Sequence, residues 1–240
     1  MEKIVERLKK YTDRNYKELL IAAQDSQLPT LALIELSKQI IMAERENKAD
    51  NTDYLPLMIL HLRANEDTLY HSLDLLKSKS EIERQLGCSI LREFPRLDEH
   101  PTKFSEKIIS SMSQLIESEK DECVIVQALS TIGWQKLDVG HEILLRMSSD
   151  SSANVRYVIA NNLLNVLGEN CKITKETAEV FLKYIKDPDE DIRSSVFWDI
   201  AEYPDLFSDF KEEFKSAAKY AQNDASIEVR NEAIRVFDIL

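Results

Sequence analysis

The sequence predicts an all-α solenoid, a row of stacked helical pairs, and three observations carry that prediction. The first is a repeat. Asp150-Ser-Ser-Ala-Asn-Val155-Arg156, Asp187-Pro-Asp-Glu-Asp-Ile192-Arg193 and Asp224-Ala-Ser-Ile-Glu-Val229-Arg230 align without a gap, and their arginines step by 37 residues each time. A fixed period of about 20–50 residues marks a protein built of stacked units, none of which buries its apolar face alone. The second is apolar spacing of three and four residues in segment after segment, the period of a helix with one buried face. The third is scarcity of turn formers: 4 Gly and 6 Pro in 240 residues. Sandwiches and barrels need such residues at their tight turns, whereas short helices joined by polar links do not.

The elements follow in order. Residues 1–28 read as two short helices, with Ile4, Val5, Leu8 and Tyr11 at helical spacing in the first and Tyr16, Leu19, Leu20 and Ala23 in the second. They lack the Asp-x4-Val-Arg pattern and are expected to cap the array, since terminal units of solenoids depart from consensus. Pro29 opens a helix to about Asn47, with Leu33, Ile34, Ser37, Ile40 and Ile41 facing in, and residues 54–64 complete a degenerate repeat. Repeats proper are expected over 65–240, the whole chain forming one domain. Asn65-Glu-Asp67 caps a helix carrying Leu69, Leu73 and Leu76, which pairs with Ser80–Phe94 before Pro95. Pro101 begins a helix with Phe104, Ile108, Ile109, Met112, Leu115 and Ile116, paired with Asp121–Trp134, where Ile125 stands in the place of the later arginines. Val139–Met147 pairs with Ala153–Leu167, ended by Gly168; Ile173–Lys186 pairs with Asp189–Tyr203, ended by Pro204; Leu206–Gln222 pairs with Ile227–Leu240. About seven pairs result.

Formal net charge is −12, and most of the acidic excess falls after residue 100. An acidic surface repels a phosphate backbone, which disfavours direct nucleic-acid binding. It keeps the chain soluble, and it also favours encounter with a basic partner. Cys88, Cys123 and Cys171 are odd in number and lack CxxC spacing, which fits reduced thiols in a cytoplasmic protein. No apolar run approaches the roughly 20 residues of a membrane helix, and Met1–Lys10 lacks the apolar core of a signal peptide.

Residues that would carry catalysis do not assemble into a pattern. His61, His71, His100 and His141 make no HExxH, and no Cys/His cluster has zinc spacing. Gly87, Gly133, Gly140 and Gly168 are too scattered for a phosphate loop, and no GxSxG is present. The sequence therefore predicts no metal, no cofactor and no enzyme.

At Asp187–Arg193 and its two equivalents the chain resembles the HEAT-repeat superfamily, and more closely the short bacterial units similar to those of phycobilisome lyases. The matching features are the Asp-Pro-Asp turn, the Val/Ile-Arg pair and the small or apolar residues that follow, Ile159-Ala160, Val196-Phe197 and Ala233-Ile234. The resemblance covers about 160 residues, with looser matches at 79–94 and 119–134. It implies a right-handed superhelix whose second helices line the concave face. It also implies that Asp150, Arg156, Asp187, Arg193, Asp224 and Arg230 bridge successive units. Some bacterial relatives are DNA glycosylases that use a basic groove, aromatic residues and an Asp. Trp198-Asp199 fits the last two, but Asp189, Glu190, Asp191, Asp199 and Glu202 contradict a basic groove. Phycobilin-lyase activity rests on the repeat resemblance alone.

Helical geometry gives an expected binding stripe. Counted from Val155, Ile192 and Val229, places four, five and eight are expected to face the core, and places two, six and seven to turn away. The outward residues would be Tyr157, Asn161 and Asn162; Ser194, Trp198 and Asp199; and Asn231, Arg235 and Val236, with Glu202 extending the middle set. An aromatic flanked by acids and amides suits a protein partner, since Trp and Tyr are enriched at binding hot spots; an ordinary solvated helix face is the competing account. The acids Asp187, Asp189, Glu190 and Asp191 are explained at a helix start by the positive end of its dipole. The most concrete function is a cytoplasmic immunity or antitoxin protein that sequesters a basic toxin, such as a nuclease domain. A general scaffold or adaptor is the alternative.

Overall fold

The computed structural model describes residues 28–48, 54–94, 103–167 and 172–240. Among them are twelve α-helices, one 3-10 segment and no strand, the all-α class that the sequence predicts. They are α1 Thr30–Arg45, α2 Leu55–Arg63, α3 Glu66–Leu75, α4 Glu81–Arg92, α5 Ser105–Ser118, α6 Glu122–Trp134, α7 Asp138–Met147, α8 Ala153–Ala160, α9 Lys175–Tyr184, α10 Glu190–Glu202, α11 Lys211–Ala221 and α12 Ile227–Ile239. The 3-10 segment, Pro204–Phe210, lies between α10 and α11. The cap expected over residues 1–28 falls, apart from Leu28, outside the described residues, as do Pro95, Pro101, Gly168 and Cys171. No helix of the described residues is long and apolar enough to cross a membrane.

The chain divides into two compact units, residues 1–131 and 132–240. In the first, α1 packs on α2, α3 packs on α4, and α1 also lies against α3 and α4. Leu33, Ile40, Ile41, Leu60, Leu86 and Ile90 bury their side chains in one cluster. Two polar groups in this core are paired, as burial favours: the Thr131 hydroxyl donates to the Cys88 carbonyl at 2.9 Å, and the His61 ring nitrogen Nε2 lies 3.0 Å from the Ser89 carbonyl. The buried Thr68 hydroxyl has no partner among the described residues. Burial pushes the Cys88 thiol far above its ordinary range, so it is an inert packing residue rather than a nucleophile.

In the second unit, α7 pairs with α8, α9 with α10, and α11 with α12. First helices stack on first helices, α7 on α9 and α9 on α11. Second helices stack likewise, α8 on α10 and α10 on α12. Side chains supply the helix starts: Ser152, Thr174 and Asp189 each accept a backbone N–H from the first turn that follows. Phe207 of the 3-10 segment is buried between Phe181 and Phe214, with ring centroids 5.6 and 5.2 Å away.

Two elements are shorter than their spacing predicts. Regular helix in α8 stops at Ala160, not Leu167. In the stretch beyond it, the amide groups of Asn161, Asn162 and Asn165 donate back to the carbonyls of Tyr157, Val158 and Asn161. Backbone N–H groups of Asn162, Asn165 and Leu167 then bond three residues back rather than four. Asparagine side chains competing for the same carbonyls loosen the α-helix into successive turns. The helix expected from Leu206 starts instead at Lys211. Pro204 donates no N–H, and the Ser208 hydroxyl takes the Asp205 carbonyl at 2.9 Å.

The seam between the end of α6 and this loosened stretch depends on a missing side chain. A Cβ placed on Gly133 would come within 2.2–2.5 Å of the Asn162 side chain, including its own Cβ. Gly133→Ala is therefore expected to destabilise the fold by about 2 kcal/mol through overpacking, measured by urea unfolding. Gly133→Ala paired with Asn162→Gly should recover most of the loss.

Candidate functional site

The Asp–Arg motif forms a ladder along the turns between first and second helices. Arg156 reaches forward to the next turn, its Nε donating to Asp187 Oδ2 at 2.7 Å and Nη2 to Oδ1 at 2.9 Å. Its Nη1 reaches back to the carbonyls of Asp150 and Ser151. Arg193 repeats this: 2.9 and 2.8 Å to Asp224, and bonds to the carbonyls of Asp187 and Pro188. Each acid also accepts the N–H two residues on, at Asp189 and Ser226. Burial alone would push the Asp187 carboxyl up, but the Arg156 guanidinium and the Asp189 N–H outweigh it and hold it below the ordinary range. The Arg193 guanidinium does the same for Asp224. In the last of the three turns, among the described residues, Arg230 bonds only the carbonyls of Asp224 and Ala225. At the other end Asp150 accepts the Ser152 N–H, and Ile125 occupies the place of the preceding arginine.

The first unit holds a rung of the same form, in the segments where the repeat resemblance is looser. Arg84 bonds Glu119 at 2.6 and 3.0 Å and the Ser78 carbonyl at 2.9 Å. Ser78 and Glu119 stand where the later repeats have Asp, so an Asp-x4-Val-Arg search passes over them. Arg45 adds a bidentate pair to Asp121 and a bond to Gln85.

The predicted stripe lies on the second-helix face of residues 132–240, and the structure assembles most of it. Tyr157, Asn161, Trp198, Glu202, Asn231 and Arg235 are exposed, and Ser194 is half-buried. Trp198 retains 46 % of its surface. Hydrogen bonds tie the helices together across the face. Ser195 Oγ donates to Asn161 Oδ1 at 2.8 Å, and Arg235 Nη2 donates to Glu202 Oε1 at 2.6 Å. Arg235 also bonds Glu232 at 2.5 Å, so two carboxylates hold its charge. Ser195 and Glu232 were absent from the expected stripe; they sit three residues before Trp198 and Arg235 on the same helical faces, which is the signal that locates them.

Place seven of each helix is a correction. Asn162, Asp199 and Val236 were expected to turn outward, and all three are buried. In α10 and α12 seven residues are two helical turns, about 20° short of full register, so Asp199 and Val236 point the same way as Ile192 and Val229. Asn162 lies beyond the regular part of α8, where it meets Gly133, and Val236 joins the core. Place five is corrected once: Ala160 and Phe197 are fully buried, whereas Ile234 of α12 is exposed.

Asp199 carries the unusual environment. It is 8 % exposed, and among the described residues its carboxylate has no hydrogen-bonding or ionic partner. Burial pushes its carboxyl up to about 7. No charged neighbour contributes, in contrast to the ladder acids. Elsewhere in the unit, an open groove of about 910 Å³ lies over the turns, lined by Leu182, Ile185, Arg193, Tyr220, Ala221 and Asp224; neither Trp198 nor Asp199 borders it. Among the described residues no group of three or more His, Cys, Asp or Glu is placed to hold a metal ion.

No known family model matches the chain, and no curated protein sequence does. Solved structures do. YibA from E. coli matches over 95 % of this chain and 81 % of its own, with a TM-score of 0.63 and 20 % identity. An engineered protein matches over 99 % and 96 %, with a TM-score of 0.52 and 15 % identity. A designed armadillo repeat protein, solved in complex with the peptide (KR)4, matches over 86 % and 98 %, with a TM-score of 0.50 and 14 % identity. At such identities the likeness establishes fold alone: the chain has the fold of a helical repeat solenoid, an architecture typical of protein-binding scaffolds.

Proposed function

We propose that this protein is a non-enzymatic solenoid of the HEAT-repeat superfamily that binds a basic segment of another protein on the second-helix face of residues 132–240. The observation that carries the reading is Trp198, an exposed indole at the middle of that face with Glu202 one turn on and Asp199 beside it. Aromatic anchors with polar rims are what interfaces are built around. The amides of Asn161 and Asn231 and the hydroxyl of Ser195 supply hydrogen-bonding groups to either side. The designed repeat protein with a similar fold was solved with an alternating basic peptide, which supports the choice of a basic ligand. The repeat ladder, Asp–Arg at each turn, supports the HEAT assignment.

In its most concrete form the protein is a cytoplasmic immunity or antitoxin protein, covering the basic cleft of a toxin such as a nuclease domain. Acidic surface would speed that encounter and make it depend on salt. Co-expression with candidate basic toxins, scored by growth, tests this. Wild type is expected to protect, and Trp198→Ala combined with Glu202→Lys to lose at least about tenfold in affinity, the scale of a hot-spot aromatic. Protection unchanged by that double variant would contradict the assigned face. Retention of the wild type on a DNA column at physiological salt would contradict the protein-binding reading.

A further inference from the structure

We propose that Asp199 and Trp198 form the seat for one lysine or arginine side chain of the bound segment, its cationic head on the Asp199 carboxylate and its aliphatic stem along the Trp198 indole. This rests on the reading that the second-helix face binds a basic segment, and it names the point on that face where the charge is recognised.

The first support is the carboxylate's isolation. The two ladder acids have their counter-charge: Asp187 has Arg156 and Asp224 has Arg193. Asp199 has none among the described residues, although it is more than nine-tenths buried. The arginines of the neighbouring second helices bond other acids: Arg156 and Arg193 hold the ladder, and Arg235 bonds Glu202 and Glu232. A buried carboxylate without a partner is unfavourable, and an incoming cation supplies what the fold withholds.

The second support is position. On α10, Asp199 lies about 40° around the helix from Ser195, whose hydroxyl reaches Asn161 on the preceding segment. Asp199 therefore sits on the inward edge of the stripe of Trp198 and Glu202, between it and the core position Ile192. Asp199 follows Trp198 directly in sequence, about 100° around α10, which puts an exposed indole and an unpartnered carboxylate on adjoining faces of one helical turn. Lysine and arginine suit this pair, because their stems pack on apolar surface while the head stays polar, and both cations are attracted to an indole face. A metal ion does not suit it, since one carboxylate supplies too few ligands.

The test titrates the full chain with a synthetic eight-residue alternating Lys–Arg peptide. Trp134→Phe provides the background, leaving Trp198 as the sole tryptophan reporter. The expected result is a saturable Trp198 fluorescence change, and a loss of about tenfold or more in affinity in Asp199→Asn, against less than about threefold in Glu202→Gln, the contrast between a desolvated and a rim charge. Trp198→Ala, followed by calorimetry, should weaken binding to a similar extent as Asp199→Asn. Acetylating the lysines and replacing arginine by citrulline should abolish it. If the peptide binds and Asp199→Asn binds it as tightly, the seat is wrong while the face stands. If the folded wild type, checked by far-UV circular dichroism, binds no peptide, both fail.

Discussion

Asp199→Asn is expected to stabilise the folded protein by about 4 kcal/mol at pH 8 and to change it little at pH 4, the product of a shift of about three units and about 1.4 kcal/mol per unit. The cause is burial without a partner, which pushes the carboxyl up to about 7, against about 3.9 in an unfolded chain. Between those values the folded state holds a proton that the unfolded state has released. Wild-type stability therefore falls as pH rises through that window, and above it the folded state carries the full cost of a desolvated charge. Asparagine keeps the shape and never ionises. The ladder has the opposite sign: Asp187 and Asp224 are held below the ordinary carboxylate range, so their contribution is present above it and is lost on acidification. Urea unfolding followed by circular dichroism from pH 4 to 8 checks this. Wild type and variant should diverge as pH rises, and parallel curves would overturn the assignment.

Arg193→Ala is expected to destabilise the protein by about 3 kcal/mol, the scale for removing one partner of a largely buried, hydrogen-bonded ion pair. Four bonds disappear at once: two to Asp224 and one each to the carbonyls of Asp187 and Pro188. The Asp224 carboxylate would then keep only the Ser226 N–H. Arg193→Lys should recover little, because a single ammonium cannot bridge a carboxylate and two carbonyls in the planar fork that arginine presents. Arg230→Ala makes the comparison sharp. Arg230 has the two carbonyl bonds and no carboxylate, so its loss should cost about 1 kcal/mol. Equal effects at the two positions in thermal or urea unfolding would mean that the bond between turns contributes nothing.

Much of the architecture was legible because the repeat signals are local. The 37-residue step of Arg156, Arg193 and Arg230 marks three turns, and the structure places an arginine fork at each. What escaped was set by tertiary context. Glu119 substitutes for Asp by reaching one methylene further, so the Arg84 rung is invisible to a pattern of residue names. The α8 terminus was missed because Asn161, Asn162 and Asn165 carry apolar neighbours at helical spacing, while their side chains take the carbonyls that the helix needs. At the candidate face, Tyr157, Trp198 and Arg235 are exposed as expected. Asp199 was found by name and misplaced by angle, and its isolation is a property of what surrounds it, which no reading of α10 alone supplies.

The guanidinium links between successive turns have a mechanical consequence. Links of nearly fixed length run along one edge of residues 132–240, at the starts of α10 and α12. That edge resists extension, while the helices beyond it are held by side-chain packing and by two exposed links, Ser195 to Asn161 and Arg235 to Glu202, which yield more readily than the forked pairs. Bending in this unit should therefore pivot at the guanidinium edge and spread the second helices as a fan. Trp198 lies more than a turn along α10 from Arg193, on the part that swings, so the spacing between it and its neighbours can adapt to a ligand without breaking a rung.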